Sequence, residues 1–144
     1  VYAAIASGGI LREPMVVRSV LSPDGRLIRE FGPKMARRLP ISKRSFEALE
    51  QGLAKVVSEG TAQAAFSGFP IPAAGKTGTA QNPAGASHGW FAGYAPLGDP
   101  EIVVLVLVEH GTGGSLAAAP VARKVMDAYF GTGDEIPGGT GATH

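Results

Sequence analysis

Two apolar segments that are separated by only five residues constrain the fold more than any other feature. Residues 89–95 and 101–109 are apolar at nearly every position, and the second segment is rich in β-branched side chains. A continuous apolar run of this length is typical of a strand that is covered on both faces of a sheet. The link, residues 96–100, is too short for the crossover that parallel strands need. The sequence therefore predicts an antiparallel pair of buried strands, near residues 88–95 and 101–109.

A third strand and two helices are predicted around this pair. The third strand covers residues 73–81 and precedes the pair directly. A helix at 43–59 has apolar residues at helical spacing and Ser42 as a candidate N-cap. The last helix, 117–130, contains Pro120, which fits only in a first helical turn. These elements predict an α+β fold, an antiparallel sheet with helices packed on it.

The two ends of the sequence differ from its middle. Residues 1–7 have the pattern of the last turns of a helix that ends at Gly8-Gly9, without an N-cap or a first turn. We therefore expect the sequence to be the C-terminal part of something longer.

A hairpin is predicted next, at 15–31, around Ser22-Pro23-Asp24-Gly25. The glycine-rich residues 132–144 predict a flexible tail that follows a single domain segment, 1–131.

The composition excludes several classes of function. The formal net charge is +1, so there is no basic excess to neutralise the phosphates of a nucleic acid. Cysteine is absent, which removes disulfides and thiolate metal sites. His88, His110 and His144 are too far apart in sequence for a local metal-ligand pattern. The longest apolar run, Ile102 to Val108, is far shorter than the roughly 20 residues of a spanning helix. We expect no metal, no nucleic acid and no membrane span.

The candidate chemistry lies in Gly75-Lys76-Thr77-Gly78-Thr79 on the third strand. This segment is not a phosphate-binding loop, because Pro70 stands where that loop needs a glycine and no helix follows. On a strand, Lys-Thr-Gly is instead the third signature of serine β-lactamases and penicillin-binding proteins.

The surrounding segments make the resemblance far more specific than the tripeptide. They are, in order, VVSEGTAQ, AGKTGTAQ, HGWFAGYAP, VLVEHG and AAAPVARKVMDAYFG. Together they resemble the C-terminal part of the transpeptidase domain of class B penicillin-binding proteins, closest to the cell-elongation type, penicillin-binding protein 2. The resemblance covers about residues 1–131. It implies the fold of a penicillin-binding protein or serine β-lactamase.

The resemblance implies roles for four residues. Lys76 would place a positive charge beside the nucleophilic serine and the substrate carboxylate. The hydroxyls of Thr77 and Thr79 would bind the terminal carboxylate of a D-Ala-D-Ala stem peptide or of a β-lactam. Gly78 would let the substrate lie against the strand, and the backbone N–H of Thr79 would be one donor of the oxyanion hole. Strict alternation along a strand puts Lys76 and Thr77 on opposite faces.

The family's other two motifs are missing from this sequence. No serine is followed three residues later by lysine, so S-x-x-K is absent. Asn82 is the only asparagine, and Ala80 stands where S-x-N needs a serine. We therefore expect the nucleophile, its lysine base and the middle serine to lie upstream of Val1. The chain alone is predicted to be catalytically incomplete.

The function implied by the resemblance is peptidoglycan cross-linking by a serine-type D,D-transpeptidase, with no metal or organic cofactor. The parent protein would work on the outer face of the bacterial cytoplasmic membrane, held by an anchor outside this sequence and together with other cell-wall synthesis proteins. Two alternatives remain. A D,D-carboxypeptidase or β-lactamase uses the same strand with water as acceptor. The segment could also be a non-catalytic structural or interaction module.

Overall fold

The computed structural model describes residues 1–133, so nearly all of the predicted tail, 132–144, lies outside the described residues. The chain divides into two compact units, Val1–Leu49 and a second that begins at Glu50. Within residues 1–133, no helix is both long and apolar enough to cross a membrane.

The first unit consists of one short helix and two separate strand pairs. Its elements are α1 (Tyr2–Ala6), β1 (Ile10–Arg12), β2 (Ser19–Leu21), β3 (Leu27–Glu30) and β4 (Met35–Arg38). β1 pairs antiparallel with β4, and β2 pairs antiparallel with β3. The β2–β3 hairpin confirms the predicted one, with shorter strands. The β1–β4 pair was not predicted, because strands of three and four residues carry too little periodicity to be recognised.

Glycines with positive φ shape the turns of this unit. Gly8 and Gly9 have φ values of +64° and +89° and end α1, as predicted. Gly25, with φ +82°, closes the hairpin turn, where its N–H donates to the Ser22 carbonyl at 2.9 Å. Both turns therefore use conformations that side chains disfavour.

The second unit contains one sheet and the helices around it, and the boundary between the two units falls within α2. Its elements are α2 (Lys43–Ser58), α3 (Gln63–Phe66), β5 (Ala74–Asn82), β6 (Gly85–Ala95), β7 (Ile102–Val108), a π-helical turn (Gly114–Ala118) and α4 (Ala119–Phe130). The Ser45 N–H donates to Ser42 Oγ at 3.2 Å, which confirms Ser42 as the cap of α2.

The three strands form an antiparallel sheet in the order β5-β6-β7, as predicted. Ala92 of the central strand lies opposite Lys76 on one side and Leu105 on the other. The turn between β5 and β6 is shorter than the bounds of the predicted strands imply, since Asn82 pairs with Gly85. β6 therefore starts before the predicted residue 88.

The core lies on the sheet face that carries Phe91 and Val104, which are 0% and 6% exposed. Helix α4 packs on this face through small and flexible side chains, with Met126 fully buried. The end of α2 and α3 add Val57 and Phe66 to the same cluster. The observed α+β architecture confirms the predicted fold class.

Two expectations for the last elements were wrong in part. Helix α4 begins at Ala119 and not at 117, because the preceding residues form the π-helical turn; Pro120 does lie in the first turn. The second face of β7 was expected to be covered. Leu105 and Leu107 are instead 65% and 43% exposed, so the described part of the chain leaves this face open.

Candidate active-site wall

The Lys76–Thr79 segment lies on β5, an edge strand of the described sheet. Lys76 and Thr79 are exposed, Gly78 is half-buried, and Thr77 is 9% exposed. The alternation places Thr77 on the core face and Lys76 on the opposite face, as strand geometry requires. Every second backbone N–H of an edge strand also points away from the sheet and can meet a ligand.

Thr77 is held by a residue that was given no role in the sequence interpretation. Its Oγ1 lies 2.6 Å from Thr61 Oγ1, and Thr61 follows the end of α2. Gly60 makes this approach possible, since a β-carbon there would lie 2.8 Å from Val56 Cα. The Ala62 N–H then donates to the Val56 carbonyl at 3.0 Å and fixes the turn. The segment VVSEGTAQ thus brings a hydroxyl to the motif.

Lys76 is stretched along its own strand. Its Nζ donates to the Thr77 carbonyl at 2.6 Å. An ammonium group has three N–H donors, so this bond leaves donors that face solvent. The exposed charge is therefore available to an anion that approaches the strand.

Gly78 is contacted by the backbone of another loop. A β-carbon at Gly114 would lie 2.5 Å from the Gly78 carbonyl oxygen and 2.8 Å from its nitrogen. Only glycine at position 114 allows this contact. The loop after β7 therefore packs directly behind the motif, a role that the sequence analysis did not assign.

Two histidines that are far apart in sequence come together at the same end of the sheet. The rings of His88 and His110 are 5.1 Å apart between centroids, and the His110 N–H donates to His88 Nδ1 at 3.1 Å. No local sequence pattern predicts this contact. Among residues 1–133, no group of three or more His, Asp or Glu side chains is placed to hold a metal ion.

A cavity of about 500 Å³ lies elsewhere in the second unit. Its walls come from α2, α3 and the segment before β5, including Val57, Phe66 and Ile71. None of the four motif residues lines it. The candidate site is thus an open strand edge and not an enclosed pocket.

The comparisons with known proteins assign this arrangement to a family. The family profile described as "Penicillin binding protein transpeptidase domain" matches residues 1–127. The chain belongs to this family. The resemblance inferred from the sequence motifs is thereby confirmed, and the β5 edge belongs to a penicillin-binding transpeptidase domain.

Relatives and solved structures agree with the assignment. The chain is 42% identical over 103 residues to the peptidoglycan D,D-transpeptidase MrdA of Haemophilus influenzae, a match that covers 60% of this chain and 16% of MrdA. It superposes with a TM-score of 0.77 and 34% identity on penicillin-binding protein A of M. tuberculosis in an imipenem acyl-enzyme complex, covering 90% of this chain and 29% of the other. A chain of a peptidoglycan synthase complex that coordinates polymerization and crosslinking gives a TM-score of 0.79 at 36% identity, covering 94% and 23%. The transpeptidase segment thus spans less than a third of each of these proteins.

Proposed function

We propose that this chain is the C-terminal part of a peptidoglycan D,D-transpeptidase and supplies one wall of its active site. The observation that carries the proposal is the position of Lys76 and Thr79, exposed on an edge strand within the segment that matches the transpeptidase family. The same domain in M. tuberculosis penicillin-binding protein A is acylated by imipenem. A β-lactam or a stem peptide that ends in D-Ala-D-Ala fits an exposed strand edge as an added strand.

The charges and hydroxyls of the edge favour an anionic ligand. Lys76 attracts the substrate carboxylate and stabilises negative charge at the reacting centre. Thr79 offers its exposed hydroxyl to the carboxylate and its backbone N–H to the developing oxyanion.

Thr77 retains hydrogen-bonding capacity beyond its contact with Thr61. A hydroxyl has one donor and two acceptor positions. When Thr61 donates to Thr77, the Thr77 proton is free for the substrate carboxylate. Thr61 then acts as a positioning residue for Thr77.

The covalent step needs a serine from outside this chain. Its Oγ attacks the carbonyl of the penultimate D-Ala, the peptide bond to the terminal D-Ala breaks, and that amine leaves with a proton. The amine of a neighbouring stem peptide then attacks the ester and releases the serine. This chain holds and polarises the substrate in both steps but does not bond to it.

The location and the partners of the whole protein are inferred by analogy with its relatives. One solved relative is part of a complex that couples polymerization to crosslinking. We infer that the whole protein is held on the outer face of the bacterial cytoplasmic membrane by a segment outside this chain and acts beside other cell-wall synthesis proteins. The carboxypeptidase and β-lactamase alternatives are not favoured, because the MrdA relative is a D,D-transpeptidase.

The proposal is tested by acylation of the full-length protein with a fluorescent penicillin. Lys76→Ala should lower the acylation rate by roughly 10²–10³, the usual cost of removing one preorganised electrostatic group. The matched control is Lys55→Ala, which removes a lysine that is 72% exposed and has only a surface contact with Glu59 at 3.8 Å. It should acylate at the wild-type rate. An acylation rate in Lys76→Ala equal to that of the control would show that β5 is not part of the site.

A further inference from the structure

The loop that follows β7 contains two strained residues. His110 and Thr112 have φ values of 55° and 62°, although neither is a glycine. A non-glycine residue in this region costs on the order of 1 kcal/mol and persists only where its surroundings enforce it. The loop 109–114 is therefore held by something outside itself.

Two backbone N–H groups of this loop donate to the start of β6. The His110 N–H donates to His88 Nδ1 at 3.1 Å, and the Thr112 N–H donates to the Ser87 carbonyl at 3.1 Å. Of these two bonds, only the first has a side chain as its acceptor. His88 is half-buried and lies opposite Ala80 on β5, next to the pair formed by Thr79 and Gly89.

The held loop forms the back of the proposed site. A β-carbon at Gly113 would lie 3.6 Å from Thr79 Oγ1, and one at Gly114 would meet the backbone of Gly78. The loop therefore limits where the Thr79 side chain and the Gly78 peptide can lie. A shift of the loop moves the surface against which these groups rest.

We propose that His88 is a positioning residue of the transpeptidase site. It acts through the loop 109–114 on Gly78 and Thr79 and does not contact the substrate. The inference rests on the proposed function, since it assumes that Gly78 and Thr79 bind the substrate.

The hydrogen bond needs Nδ1 of His88 as its acceptor. A side chain without an acceptor at that position would leave the His110 N–H without its partner.

The His110 ring has hydrogen-bond partners of its own. Its Nδ1 lies 3.4 Å from Asn82 Nδ2 and 3.3 Å from the Ala86 carbonyl. The Ala84 N–H donates to Asn82 Oδ1 at 3.0 Å, which turns the amide NH₂ of Asn82 toward the ring. Depending on the tautomer, Nδ1 accepts from Asn82 or donates to Ala86. Loss of the His88 side chain therefore removes the bond to the His110 N–H and leaves the contacts of the His110 ring in place.

The test compares wild type, His88→Asn and His88→Ala in the full-length protein, using the rate of acylation by a fluorescent penicillin at neutral pH. Asn carries an oxygen at the position of Nδ1, so it should restore the bond. His88→Ala should lose up to about 100-fold in rate, the cost of a misplaced group, and His88→Asn should stay near wild type.

Hydrogen exchange at the His110 amide in the same three proteins gives a second readout that does not depend on activity. Exchange should be fast in His88→Ala and slow in His88→Asn. Wild-type acylation and amide protection in His88→Ala, or a His88→Asn variant that is acylated as slowly as His88→Ala, would overturn the inference and leave the proposed function standing. A wild-type protein that no penicillin acylates would overturn both.

Discussion

At the residue scale, Thr77 of the Lys-Thr-Gly motif depends on a hydrogen-bond partner that lies outside the motif. The Thr77 hydroxyl is buried beside Thr61, whereas Thr61 itself is exposed. Water can replace Thr77 as a partner for Thr61 but cannot easily replace Thr61 as a partner for Thr77. Removing the Thr61 hydroxyl and removing the Thr77 hydroxyl should therefore lower the free energy of unfolding by different amounts.

Thr61→Val should destabilise the protein by about 1–2 kcal/mol, because it leaves the buried Thr77 hydroxyl without its partner. Thr77→Val should cost less, since it leaves only an exposed group. The double variant should resemble Thr77→Val, which corresponds to a coupling of about 1–2 kcal/mol in a double-mutant cycle measured by denaturant unfolding. Additive effects of the two changes would contradict the direct bond between the hydroxyls.

Part of this detail was predictable from the sequence. Strict alternation along a strand puts Lys76 and Thr77 on opposite faces, and the exposures of the two residues, one exposed and one buried, follow this pattern. The contacts of Thr77 with Thr61 and of His110 with His88 were missed. These partners are 16 and 22 residues apart, so the packing of separate elements sets their distance and no local pattern reports it.

At the element scale, helix α4 is anchored by one charged network. Arg123 Nε donates to Asp127 Oδ2 at 2.6 Å, Arg123 Nη1 donates to the Ser67 carbonyl at 3.1 Å, and Thr132 Oγ1 donates to Asp127 Oδ1 at 2.7 Å. The two charged side chains are only 17% and 13% exposed. The network joins the end of α4 to the segment after α3.

The Asp127 network makes stability depend on pH in a defined direction. Burial raises the pKa of the Asp127 carboxyl, but the hydrogen bonds from Arg123 and Thr132 and the Arg123 charge outweigh burial, so the pKa is lowered overall. A lowered pKa stabilises the fold above the unfolded value, near 3.9, and this contribution disappears as the pH falls through the folded value. Asp127→Asn should therefore cost about 1–2 kcal/mol at neutral pH and progressively less below about pH 4.

Thermal unfolding of both proteins across this pH range measures the effect. Glu47→Gln is the control, because Glu47 forms only a surface pair with Lys43 at 3.7 Å. Glu47→Gln should change the stability of the fold little at any pH. A cost of Asp127→Asn that is constant down to the lowest pH would contradict the assignment of the pKa shift.

Elements with strong periodicity were predicted well, and short or irregular ones were not. The antiparallel order and α2 followed from apolar patterning and short links. The π-helical turn before α4 has no pattern of its own, since it is enforced by the close contact of Gly114 with the sheet. β1 and β4 pair with each other, and each strand is too short to be predicted from its own sequence.

At the scale of the whole molecule, the described sheet has one packed face, and its other face is buried at Ala92 and Tyr94 of β6 but open along β7. On this open face of β7, Val103, Leu105 and Leu107 are 38%, 65% and 43% exposed. A contiguous apolar surface of this kind favours association. The isolated 144-residue chain should therefore self-associate.

Leu105→Lys should shift the isolated chain toward monomer in sedimentation velocity, because it places a charge in the middle of the open face. Leu116→Lys is the control, since Leu116 is 81% exposed in the π-helical turn and lies off this face. Equal sedimentation of the two variants would mean that association, if present, uses another surface.

The central claim is that this chain forms a wall of a penicillin-reactive site whose nucleophile it lacks. Intact-mass spectrometry with peptide mapping, after incubation with a β-lactam, tests it most directly. Ser42, Ser45, Ser58 and Ser87 have no lysine at the required spacing, and an unactivated hydroxyl is a weak nucleophile. The full-length protein should gain one acyl group on a serine outside this chain, and the isolated chain should gain none. A stoichiometric adduct on a serine of this chain would contradict the account.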